Sequence, residues 1–397
     1  MRPPPGRRAL IALAFLGFAS LGLPDGAIGV AWPRIRESFD LPLGALGALL
    51  AASVSGYACA SFCAGALLAR IRIGALLALS CAATGATLLG YWAAPSWSAM
   101  VALGLVAGLG AGAIDVGINS FAATQLPPRT LHWLHAAYGL GTSAGPILMT
   151  RSLMSDGGWR GGYLALGAIQ LALAAGFAAT IRRWPAPEAV PAGADDATRP
   201  GAAESAPAPL IATLRLRAAQ LSAAAFFLYL GVEASAGAWL YSLLESSRHA
   251  SMASAAAGVS TYWGGLFVGR VAFGFTPSRW RADAMLAPAI AGCALAATLL
   301  ACNLGGAADL ACAALLGCSA APIFPALIGA TPQRVGPAHT ANAVGLQIAA
   351  AALGQAGVPA LAGIAATHVS LEIVPATLLA LSLALFAVNA RLARGER

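Results

Sequence analysis

Long apolar blocks follow one another along almost the whole chain, separated by short polar stretches. Each block approaches the ~20 residues that an α-helix needs to cross the hydrocarbon core of a bilayer. On that rule the pattern predicts helices over 9–32, 43–69, 74–93, 98–123, 134–150 and 161–181, then over 218–244, 255–275, 285–303, 310–330, 341–365 and 374–390. The one extended interruption, 184–209, is rich in proline, alanine and acidic residues, a composition that buries too little apolar surface to fold. The expected organisation is an N-terminal six-helix half (1–183), a linker (184–214) and a C-terminal six-helix half (215–397).

Composition agrees with the pattern. Hydrophobic residues make up 59% of the 397 and charged residues 10%, with a mean hydropathy of +0.75, whereas a soluble domain is about a quarter charged. The expected fold class is therefore an all-α polytopic membrane protein of twelve transmembrane helices. The start, Arg7-Arg8 followed by an apolar run, has the form of a signal peptide. The run continues through Asp25 to Trp32, however, so a retained first helix is expected.

All 23 basic residues are arginine, and the net charge is +8. They form no basic stripe, so no nucleic-acid partner is expected. Instead they sort by side. Arg2, Arg7, Arg8, Arg70, Arg72, Arg129, Arg182, Arg183, Arg199, Arg215, Arg217, Arg279, Arg281, Arg334, Arg391, Arg394 and Arg397 fall on one side, against Arg34, Arg36, Arg151, Arg160 and Arg248 on the other. The excess of arginine on cytoplasmic loops places both termini and the linker in the cytoplasm, with the bacterial inner (plasma) membrane as the expected location. The seven cysteines all lie in apolar segments and no histidine joins Cys59 and Cys63 in a ligand pattern, so they read as packing residues and no metal is expected.

Against this background three acids stand out: Asp25, Asp115 and Glu233 each lie alone in the middle of an apolar block. An ionisable group at that depth costs at least ~2.5 kcal/mol, so it faces a cavity or a partner and marks a substrate or proton path. Gly104, Gly108, Gly112, Asp115 and Asn119 recur at helical spacing and share one face. The glycines of that stripe admit a neighbouring helix. Asp25 lies between Gly22-Leu23-Pro24 and Gly26, a cluster expected to interrupt regular helix hydrogen bonding and to free backbone groups toward a cavity. Glu233 shares a face with Tyr229 and Gly237; Arg270, on a face with Trp263 and Phe267, is its candidate ion-pair partner, and a pair between halves would be a gate.

Tyr138 with Thr142, and Gln347 with Gln355, add neutral hydrogen-bonding groups to two further helices. Such groups among aromatics suit a polar, uncharged solute such as a sugar. Pro322, Pro325 and Pro359 mark expected bends. HExxH, Walker A and CxxC patterns are absent, so neither a membrane metalloprotease nor a nucleotide-driven pump has sequence support.

The six-plus-six layout with a central linker resembles the major facilitator superfamily. Within it the chain is similar to the fucose permease and glucose/galactose permease branch over 110–119 (GAGAIDVGIN), 134–141 (LHAAYGLG) with Gly145-Pro146, 229–233 (YLGVE) with Trp239, 263–270 (WGGLFVGR) and 321–325 (APIFP). That resemblance implies secondary active transport, with acidic groups on the first and fourth helices, here Asp25 and Asp115, coupling protons to a sugar. In the second-to-third loop, Ala69 stands before Arg70 where the superfamily motif carries an acidic residue; Gly141 to Pro146 resembles the start of a drug-antiporter motif, G-x-x-x-G-P. The expected function is proton-coupled symport of a small polar solute by alternating access. The alternatives are proton-coupled efflux of drugs or amphiphilic metabolites, and a membrane receptor that does not transport. Asp115 and Asp25 are the expected proton sites. Glu233, Asn119, Gln347, Tyr229, Trp263 and Tyr138 are the expected substrate contacts, with Arg270 and Arg70 as gates. Protons, a small solute and the bilayer are the expected partners, without cofactor or metal, acting on a monomer.

Overall fold

The structure, a computed structural model, describes residues 5–68, 70–126, 128–185, 208–275 and 282–395. Most of the expected linker lies outside the described residues, as do Ala69, Arg279 and Arg281. Among the described residues the regular structure is entirely helical: α1 (Pro5–Ser38), α2 (Leu46–Leu68), α3 (Ile73–Ala93), α4 (Trp97–Gln125), α5 (Pro128–Leu153) and α6 (Gly158–Thr180) in the first half. The second half holds α7 (Leu210–Arg215), α8 (Arg217–Ser242), α9 (Met252–Gly274), α10 (Ala282–Ala301), α11 (Gly306–Ala320), α12 (Ile323–Val335), α13 (Pro337–His368) and α14 (Ile373–Gly395). Counting α11 with α12 as one crossing, each half crosses the bilayer six times. By length and composition alone, nine helical stretches among the described residues are apolar enough to span. Of the other three, α10 is apolar but short, and α5 and α9 fall short because glycine, serine, threonine and tyrosine dilute their apolar content, yet all three pack inside the bundle.

Four elements depart from the expected pattern. The α1 helix runs unbroken through Pro24 and Pro33, so the interruption expected around Asp25 is not there. A proline removes one N–H from the ladder, and α5, packed along α1, supports the turn on either side. The expected helix 310–330 is two helices, because Pro322 separates α11 from α12. The last turn beyond α8, Leu243–Ser247, widens into a π-helix. Short α7 was not anticipated; it forms from the final residues of the expected linker.

Helix pairing repeats between the halves. In the first, α1 packs on α5, α2 on α4 and α3 on α6; in the second, α8 packs on α13, α9 on α11 and α10 on α14. Each half thus pairs its first crossing with its fifth, its second with its fourth and its third with its sixth. This is the signature of a parallel internal repeat. A continuous buried core of large side chains, among them Trp32, Tyr163, Tyr229, Trp239, Tyr241 and Tyr262, runs across both halves.

At the end remote from the linker each half is tied by one arginine. Arg160 donates to the carbonyls of Trp92 (2.6 Å) and Ala94 (3.0 Å) at the end of α3, and lies over the rings of Trp159 and Phe39. Arg248 donates to the Leu300 carbonyl at the end of α10 (2.6 Å) and pairs with Asp309 (3.0 Å) and Glu372 (2.8 Å). The halves meet across a seam at this same end. There Gly29 of α1 lies against the backbone of Gly237 and Ala238, Gly44 against Ile364, and Gly47 against Ala360. Arg34 of α1 closes the seam with a 3.0 Å bridge to Glu245 in the π-turn while also holding Glu37 at 2.9 Å.

Candidate functional site

The glycine stripe of α4 determines where Asp115 finds its partner. A side chain at Gly112 would sit 2.6 Å from the Tyr57 carbonyl oxygen, and one at Gly108 would strike the backbone around Ser53 and Tyr57. Only bare backbone lets α2 come this close. The result is that the Tyr57 hydroxyl donates to Oδ2 of Asp115 at 2.6 Å, while Asn119 Nδ2 donates to Oδ1 at 3.0 Å. Both carboxylate oxygens are engaged, one by the adjacent helix and one by the next turn of α4.

Asp25 is placed the same way by different residues. Gly22 and Gly26 of α1 lie against the carbonyls of Tyr138 and Thr142, and Gly141 of α5 lies against the Ala19 carbonyl. This close crossing brings the Tyr138 hydroxyl to Oδ2 of Asp25 at 2.7 Å. Asp25 is exposed although it lies mid-helix. That combination marks a carboxyl lining an opening between helices, not one sealed in packing.

In the second half Tyr229 donates to the Glu233 carboxylate, and Arg270 Nη2 reaches the same oxygen at 3.2 Å. The Tyr262 hydroxyl fixes the Glu233 backbone carbonyl at 3.0 Å. The Trp263 ring packs on Gly237, one turn from Glu233; its indole N–H is buried and has no hydrogen-bond partner among the described residues.

These clusters lie within electrostatic range of one another. Tyr57 feels both Asp115 and Asp25, and Tyr138 feels Asp25, Glu233 and Arg270. The α5 and α9 helices meet across the halves where Gly139 faces Phe267. Asp25, Asp115, Glu233, Asn119, Tyr229, Tyr138, Trp263 and Arg270 therefore belong to one polar zone spanning the two halves.

Two expected residues stand elsewhere, and one plays a different part. Gln347 is fully buried and its amide donates to Thr331 Oγ1 at 2.9 Å, so it joins α13 to α12 instead of facing a solute. Arg70 is exposed in the α2–α3 turn, away from this zone. Arg270 and Glu233 both belong to the second half, so their ion pair cannot bridge the seam. The bridge across it is Arg34–Glu245, and neither residue was singled out from the sequence. Tyr57 was missed as well; its only sequence signal is that it is the one phenol of α2.

The sequence profile described as Major Facilitator Superfamily matches residues 14–306. The chain belongs to the major facilitator superfamily. Solved structures similar to this superfamily member include a point mutant of the nucleoside transporter NupG, at 14% identity and TM-score 0.77, covering 97% of this chain and 99% of that one. A D-xylose-proton symporter is similar at 14% identity and TM-score 0.75, covering 95% and 97%. FucP, in the outward conformation, is similar at 16% identity and TM-score 0.63, covering 98% of each chain. No curated protein sequence matches at a significant level. As a superfamily member with this fold, the protein is a multi-pass membrane transporter of small molecules and not an enzyme.

Proposed function

We propose that this transporter couples proton movement to that of a small polar solute, such as a sugar, by alternating access. The observation that carries the reading is the pair of mid-span carboxyls, Asp115 and Asp25, each receiving a tyrosine hydroxyl from a neighbouring helix. A phenol donates to a carboxylate and accepts from a carboxyl, so either aspartate keeps its partner through a cycle of proton loading and release. Asp25 is also exposed, as a group loaded from water must be.

Solute recognition falls to the groups around these carboxyls: Tyr229, Glu233, Asn119, Tyr138 and the unpaired Trp263 N–H. Three acids against one arginine make a site unfavourable to anions and suited to a neutral hydroxyl-bearing molecule. The nucleoside and D-xylose specificities named for two similar folds are in keeping with this. The seam is shut at the end remote from the linker; with the linker in the cytoplasm, as the arginine distribution indicates, this is an arrangement closed toward the outside. An efflux reading leans on Gly141 to Pro146, but Gly141 and Gly145 are accounted for by the contact of α5 with α1.

The test is uptake of labelled pentoses, hexoses and nucleosides into proteoliposomes under an imposed proton gradient. At least one of these solutes accumulates with the gradient, and Asp115→Asn abolishes accumulation while leaving solute exchange without a gradient. Flux indifferent to pH and to Asp115→Asn would sink proton coupling. Drug extrusion without solute uptake would replace symport by efflux.

A further inference from the structure

The α7 helix is bolted down on one side and bare on the other. Its Thr213 is fully buried, with Oγ1 2.9 Å from Nδ1 of His339. Asn342 Nδ2 donates to the Ala208 carbonyl at 2.8 Å, and the Ala208 N–H donates to the Ala338 carbonyl at 3.0 Å. At the other end, Gln220 of α8 donates to the Leu214 carbonyl at 2.8 Å. These bonds fasten α7 to the start of α13 and of α8.

The opposite face carries Leu210, Ile211 and Leu214, all exposed, Ile211 at 66%. Arg215 and Arg217 stand beside them, exposed and outside every ion pair of the described residues. Only Leu216 separates α7 from α8, which spans the membrane. The aliphatic face is therefore held at the bilayer edge by covalent connection. A short helix there, with aliphatic side chains on its free face and guanidinium groups next to them, fits the boundary between acyl chains and phosphates. Guanidinium pairs with phosphate oxygens through two parallel hydrogen bonds, and anionic headgroups add charge attraction.

We propose that α7 lies in the headgroup layer and holds an anionic phospholipid through Arg215 and Arg217. A consequence follows from the way it is fastened. The lipid is anchored to the start of α13, whose far end meets the first half at Gly44 and Ile364, so lipid charge bears on a helix that lines the seam. This site is independent of the solute and of proton coupling.

The experiment uses the full chain in nanodiscs of phosphatidylcholine with and without phosphatidylglycerol. Native mass spectrometry reads which lipids stay bound, and hydrogen exchange reads the amides of 210–216. The protein retains phosphatidylglycerol in preference to phosphatidylcholine, and Arg215→Gln and Arg217→Gln each weaken the preference about fivefold. Exchange at 210–216 slows when phosphatidylglycerol is added. Equal retention by wild type and the double variant, exchange unaffected by lipid charge, or photo-crosslinking from position 211 to a second copy of the chain in place of lipid would overturn the proposal.

Discussion

Tyr57 and Tyr138 reach their aspartates from different helices, yet each places one phenol on one carboxylate oxygen at nearly the same distance, 2.6 and 2.7 Å. The bond to Asp115 is the one to remove, because Tyr57→Phe leaves the ring in place and takes away only the donor. A hydrogen bond to a charged group contributes about 1.5 kcal/mol or more, so proton-driven uptake by Tyr57→Phe falls about tenfold while gradient-free exchange persists; initial rates in proteoliposomes check this. At this scale the sequence was informative only where partners are near in the chain. Asp115 and Asn119 are one helical turn apart and were legible as a pair, whereas Tyr57 lies 58 residues from Asp115, and apolar periodicity says nothing about which helices cross. Gln347 was misread for the converse reason: a glutamine bonded to a threonine of the preceding helix looks in sequence like one facing a cavity.

The glycine stripe of α4 was legible at the scale of elements as a face awaiting a neighbour, and the structure supplies α2 as that neighbour. Pro322 likewise announced a bend, realised as the break between α11 and α12. The continuity of α1 through Pro24 was not legible, because it depends on support from α5. The seam between α1 and the π-turn was hidden too: Arg34 and Glu245 lie 211 residues apart. A π-turn inserts an extra residue into a helix and often accompanies a functional site; here it carries the carboxylate that crosses between halves. Arg34 is partly exposed, so water screens the pair and about 1 kcal/mol is its upper value. Glu245→Gln shifts the population toward the form open at this end by up to about fivefold, measured as labelling of a cysteine placed beside the seam. Exchanging the charges, Arg34→Glu with Glu245→Arg, restores the wild-type labelling; a double variant as open as the single one would show that the pair does not hold the seam.

The order of pairing, first with fifth, second with fourth and third with sixth, is the same in both halves of the whole molecule. Hydropathy revealed the six-plus-six division but not the partners, since every apolar helix face looks alike to it. Each half also has its own arginine tie at the end where the seam closes. In the second half, the hydrogen bond from Arg248 and its charge hold the Glu372 carboxyl below the usual carboxylate range, against the opposing effect of burial. Because the folded value is lowered, this contribution is fully present above the unfolded carboxylate value of about 4.3 and is lost as pH falls through the folded value. Glu372 is 38% exposed, so screening keeps the contribution within about 1 kcal/mol. Thermal midpoints of wild type and Glu372→Gln should part above about pH 5 and converge below about pH 4. Arg248→Ala is more severe, because Asp309, only 6% exposed, is left without its cation; removing one partner of a buried pair costs about 3 kcal/mol.

Neither tie borrows from the other half: Arg160 is held by Trp92, Ala94, Trp159 and Phe39, and Arg248 by Leu300, Asp309 and Glu372. Each half carries its own fastening, so the gene should tolerate being cut in two. Two polypeptides divided within 186–207 and produced together should copurify and transport, and a half exchanged for that of a relative should bring its own fastening with it.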